Sequence, residues 1–98
     1  MIPGFNETLH HDDATYHIQT EDLGEARAVV VSHIFRSGQI LHTARSDYRE
    51  RLEHPQLERV VKKLLILQHR DMQRLILAGH FAPATEPAVA APGPARPP

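Results

Sequence analysis

The chain has 98 residues, no cysteine, and 11 Lys+Arg against 12 Asp+Glu, for a formal net charge of −1. That length fits one small domain, and the missing thiol excludes a disulfide scaffold, a thiolate metal site and a cysteine nucleophile. No apolar run approaches the ~18 residues of a membrane helix.

Residues 7–11 and 14–20 are predicted as two strands around a turn at Asp12-Asp13. Alternation in Thr15-Tyr16-His17-Ile18-Gln19-Thr20 places Tyr16 and Ile18 on one face, and a two-residue loop sets Leu9 across from Tyr16. Glu21-Asp22-Leu23-Gly24-Glu25 is polar and reads as a connection. Ala28 to Phe35 is β-branched and apolar, as suits a central strand. Ser37-Gly38 turns the chain, and Gln39 to Arg45 returns as the fourth strand. In that register Phe35 opposes Ile40 and His33 opposes His42 on one face, while Ile34 opposes Leu41 and Ser32 opposes Thr43 on the other.

Ser46-Asp47 caps a short turn through Tyr48 to Leu52. Pro55 suits the first position of a long helix and Gly79 suits its end. Leu57, Val60, Val61, Leu64, Leu65, Gln68, Met72, Leu75 and Ile76 form its core stripe. Arg59, Lys63, Arg70 and Arg74 form a basic stripe on another side. The expected fold is α+β: a four-stranded antiparallel sheet of two β-hairpins followed by one long helix. Residues 1–81 make the domain. Residues 82–98 are almost all Ala and Pro and are expected to stay disordered, with polyproline II character.

Ile66, Leu67 and Leu77 fall off the core stripe, and both faces of the sheet carry aliphatic residues in the expected register. One helix covers only one sheet face, so the apolar surface exceeds what a single small chain hides. We therefore expect Ile66, Leu67 and Leu77 to contact another protein or a second copy of the chain, with Arg59, Lys63, Arg70 and Arg74 at the rim.

Eight histidines stand out. His33 and His42, facing across the second hairpin, are the candidate metal ligands, and a dimer that brings them together is expected to weaken as pH falls toward 5. The wider pattern argues against a metal, because the helix has no His-x-x-x-His pair and adjacent strand residues point to opposite faces. Serines are few and none sits in a nucleophile motif, and no Gly-rich phosphate loop occurs. We expect no enzyme and no cofactor. The chain is slightly acidic and aromatic-poor, so the basic stripe reads as a solvated face and nucleic acid is the alternative partner. No secretory signal is visible at the N-terminus, and a cytoplasmic protein is expected.

The run Thr15 to Gly24, followed by His33-Ile34-Phe35 and Ser37-Gly38-Gln39-Ile40-Leu41, with Gln68-His69-Arg70-Asp71-Met72 on the helix, resembles a group of small uncharacterised bacterial proteins of hairpin–hairpin–helix type. The resemblance spans roughly residues 9–79, and its motifs are structural. More distantly the chain resembles small adaptors of bacterial cell-polarity systems. That likeness implies an adaptor or regulator of a Ras-like GTPase, docking by an edge strand or a helix.

Overall fold

The computed structural model describes residues 2–81, so the expectation for the Ala/Pro-rich segment lies outside the described residues. Four strands, β1 (Phe5–His11), β2 (Ala14–Asp22), β3 (Val29–Arg36) and β4 (Gln39–Asp47), pair antiparallel in the order of the sequence. A single 3-10 turn (Arg49–Arg51) leads to one long helix, α1 (Leu57–Leu77). The expected α+β architecture is the observed one.

Turn chemistry sets the sheet. Asp12 and Asp13 have φ of 50° and 65°, and Ser37 and Gly38 have 52° and 77°. Both residues of each loop are left-handed, the tight-hairpin geometry that matches strand twist. Leu9 lies opposite Tyr16, as expected.

Strand alternation then divides the side chains. Tyr16, Ile18, Thr20 and Asp22 of β2, with Val30, Ser32 and Ile34 of β3, face α1 and are buried. The far face is mostly polar, carrying Thr8, Thr15, His17, Gln19, His33 and Thr43 beside Phe35 and Ile40. The helix lies chiefly over β2 and β3.

The strands run longer than expected: β1 from Phe5, β2 through Glu21 and Asp22, which the sequence reading gives to the connection, and β4 through Ser46 and Asp47. Two further details depart from the sequence reading. First, β4 carries a bulge beyond the Phe35–Ile40 pair, so Ile34 opposes His42 and His33 opposes Thr43. The extra residue, Leu41, packs toward the helix-side core. The slip sends His33 and His42 to opposite faces, because strand side chains alternate. It also leaves the far face with less apolar surface than the expected register implied. Second, α1 begins at Leu57 rather than at Pro55. Pro55 sits in the preceding turn, where the His54 ring accepts the Gln56 backbone N–H at 2.9 Å. The short turn starts after Tyr48 rather than at a Ser46-Asp47 cap; Asp47, the last residue of β4, accepts the Arg49 N–H at 2.7 Å, and Ser46 bonds Gln68 instead.

The far end of the helix stops as expected. Gly79 has φ +79°, His80 N–H donates to the Leu75 carbonyl and Gly79 N–H to that of Ile76, both at 3.0 Å. That is the paired-bond glycine stop of a Schellman motif. The chain then folds back: the Phe81 carbonyl accepts the Tyr16 hydroxyl at 3.1 Å and the Arg36 guanidinium.

Candidate interaction surface

Successive helix residues are about 100° apart around the axis, so each position on α1 has a side. His69 and Gln73 mark the flank over β1, since both reach Glu7. Ile66 is three residues before His69 and Leu77 is four after Gln73, which puts both on the β1 flank. Leu67, next to Ile66 in sequence, lies on the opposite flank. There it lines a shallow 250 Å³ pocket with Ala44, Ser46, Leu64 and Met72.

All three expected anchors are exposed, at 41 % for Ile66, 45 % for Leu67 and 56 % for Leu77. They do not form one patch. Arg59, Lys63, Arg70 and Arg74 run along the crest between the two flanks, all exposed. Arg74 pairs with Asp71 at 3.1 Å, with both side chains in solvent. Phe5, at 38 %, joins the β1 flank, where its ring lies 5.2 Å from that of His69. Ile40, 55 % exposed, sits on the far face against Phe35. Among the described residues the β1 flank therefore holds three of the five large exposed apolar side chains.

The helix and sheet meet through a polar seam that the sequence reading did not isolate. His69 is buried; its Nε2 lies 2.9 Å from Glu7 Oε1 and its Nδ1 lies 2.8 Å from the Thr20 hydroxyl. Thr20 meets Ser32 at 2.7 Å, and Gln68 Nε2 donates to Ser32 at 2.9 Å. The Ser46 hydroxyl bonds the Gln68 carbonyl oxygen. With a neutral ring whose Nε2–H points to Glu7, every donor in the chain runs one way: Gln68 to Ser32, Ser32 to Thr20, Thr20 to His69, His69 to Glu7.

The order carboxylate, imidazole, hydroxyl is that of a hydrolase triad. Here Thr20 and Ser32 are 1 % and 0 % exposed, sealed beneath the helix. No substrate atom reaches either hydroxyl, so this cluster joins elements. The Gln73 side-chain donor, opposed by burial and aided by the His69 ring, holds the Glu7 carboxyl below its ordinary range. One sequence signal marks His69: it stands four residues after Leu65 and three before Met72, on the core spacing.

A second carboxylate, Asp22, is itself buried and accepts the Tyr48 hydroxyl at 2.6 Å, Gly24 N–H at 2.9 Å and Ile2 N–H at 3.2 Å. Burial alone would raise its pKa; the three donors outweigh burial and hold it low. Burial and the Asp22 carboxylate push the Tyr48 hydroxyl upward, so it remains a donor. Oδ1 takes two of these donors and Oδ2 one, at the edge of a 310 Å³ pocket that Asp22 lines with Ile2, Tyr48, Leu57 and Val61.

His33 Nδ1 bonds Thr43 at 2.9 Å on the far face, while the His42 ring lies 5.7 Å from that of Phe81 on the other. On opposite faces of the sheet, the two rings can share neither an ion nor the pH-sensitive dimer contact expected of them. Among the described residues no group of three or more His, Asp or Glu side chains could hold a metal. Nor, among the described residues, is any helix long and apolar enough to cross a membrane.

These features define a small antiparallel meander covered on one face by a single helix. The sequence matches no family model, and no curated protein or solved structure matches it.

Proposed function

We propose that the chain is a non-catalytic protein–protein interaction module that self-associates or joins a larger complex. The observation that carries this reading is the outer surface of α1. The centre of its core-facing stripe (Val61, Leu65, Gln68, Met72 and Ile76) is buried, with Leu57, Val60, Leu64 and Leu75 half-buried at its margins, yet Ile66, Leu67 and Leu77 remain in solvent beside four cations. Apolar anchors ringed by charge are the composition of a contact surface rather than of a solvated one. A hetero-partner would bring apolar groups for the β1 flank and carboxylates for the crest.

The test uses the full chain with Ile66→Glu and Leu77→Glu combined. Both sites are exposed, so thermal stability should stay within about 0.5 kcal/mol of the parent. Association should fall at least tenfold, read by sedimentation velocity across concentration and by affinity purification from the native host. A parent chain that stays monomeric and retains no partner overturns the module reading.

The crest itself favours one second reading, contact with a polyanion such as nucleic acid. Arg59, Lys63, Arg70 and Arg74 on the crest, with Lys62 on the adjoining β1 flank, present five cations on one helix. Titration with DNA and RNA at low salt decides it, and absence of binding there removes it.

A further inference from the structure

We propose that the free edge of β1 is a homodimer seam, in which two copies pair β1 antiparallel about Thr8 to join their sheets. This rests on the self-association part of the proposed function and names its surface.

The argument starts from the ladder. His11 and Ala14 close a two-residue hairpin, so they form a hydrogen-bonded pair. Backbone polar groups alternate along a strand. Those of Phe5, Glu7, Leu9 and His11 therefore point to β2, and those of Asn6, Thr8 and His10 point outward with no strand beyond them. Centred on Thr8, the outward groups match those of a second copy: Thr8 faces the partner's Thr8, and Asn6 faces the partner's His10. Each such pair exchanges both backbone bonds, and all seven residues of the strand are used.

Free edges are ordinarily blunted by bulges, lysines or prolines. The β1 ladder runs without a register break from Phe5 to His11 and contains no Lys, Arg or Pro. The other free edge, β4, carries the bulge at Leu41 and the charges of Arg45 and Asp47. The intact edge is the receptive one.

Side chains agree with the register. On the helix side Phe5 faces the partner's His11, and Glu7 faces the partner's Leu9, so no like charges are directly opposed. Glu7 is already held within its own subunit by His69 and Gln73. Above the joined strands, Phe5 and Leu9 of both copies floor a channel, with Ile66 and Leu77 at its walls. A strand of this length gives about 24 Å of contact.

Because the chain has no cysteine, a single introduced thiol reports on the seam. Residues facing each other in a hydrogen-bonded pair have Cα atoms about 5.5 Å apart, within disulfide reach. Thr8→Cys in the full chain should give a covalent dimer under mild oxidation, whereas Thr43→Cys on β4 should not at the same concentration. Thr8→Pro removes one outward N–H and leaves the bonds to β2 intact; it should turn the dimer into a folded monomer by sedimentation and circular dichroism. A parent chain that is monomeric at all concentrations overturns the seam, while a partner retained through Ile66 and Leu77 would leave the module reading standing. A dimer that cross-links through Thr43→Cys, or through neither thiol, overturns the seam and preserves self-association.

Discussion

At the scale of single residues, the most consequential groups are buried and polar. Thr20 is the middle of the one-way chain from Gln68 to Glu7. Thr20→Val keeps the shape but leaves the Ser32 proton without an acceptor and His69 Nδ1 without a donor. Stability should fall by about 1–3 kcal/mol in urea denaturation, the cost of stranding buried polar atoms. Asp22→Asn should cost a similar ~1–3 kcal/mol. Its new amide cannot accept at both positions, so either the Ile2 donor is lost or those of Tyr48 and Gly24 together. Both carboxyls also set an acid limit. Glu7 and Asp22 have folded pKa values below their unfolded ones, so their contribution is complete above the unfolded values and disappears as pH falls through the folded ones. Melts recorded from pH 7 to pH 3 should show stability declining below about pH 4.5. Glu7→Gln should flatten part of that decline.

At the scale of elements, backbone geometry gives sharper expectations. A Cβ at Gly4 would lie 2.0 Å from the Thr20 carbonyl oxygen, a backbone atom that cannot turn away. Gly4→Ala should therefore lift the start of β1 from β2 and cost about 1–3 kcal/mol. Faster hydrogen exchange confined to β1 would be the sign. Gly79 has open space around it but a φ of +79°. Gly79→Ala should cost about 1 kcal/mol through the backbone alone, with the last turn of α1 fraying first.

These elements also show what a sequence discloses. Both tight turns, the four strands and the glycine stop were readable, because each depends on residue types adjacent in the chain. The β4 bulge was not. Leu41 leaves the ladder because of what it meets beneath the helix, and a count from the Ser37-Gly38 turn cannot see that. The same slip moved His42 away from His33. The exposure of Ile66, Leu67 and Leu77 was predictable from their angular positions, but those positions also divide them between two flanks, which the grouping by hydrophobicity overlooked. His69 was passed over because a histidine on an apolar spacing declares itself only when Glu7, far off in sequence, arrives opposite.

At the scale of the whole molecule, the interior is two apolar clusters joined by the polar seam. One contains Tyr16, Ile18, Ile34, Met72 and Ile76, and the other Ala28, Val30, Tyr48, Val61 and Leu65. Each holds one of the two tyrosines, and there is no tryptophan, so Tyr16→Phe and Tyr48→Phe chains each report on one cluster by fluorescence. The transitions of the two clusters should coincide in urea, as for a single cooperative unit. Adding Gln68→Ala, which cuts the bonds to Ser32 and Ser46, should separate them.

The order of pieces has a further consequence, felt during synthesis. Strands pair only with their sequence neighbours, so the hairpins can close as soon as they leave the ribosome. The cover for Tyr16, Ile18, Val30 and Ile34 is made after all four strands. Until α1 emerges, the nascent sheet shows its greasy side to the cell. A polypeptide ending before Leu57 would therefore be a substrate for chaperones and inclusion bodies rather than a smaller working protein.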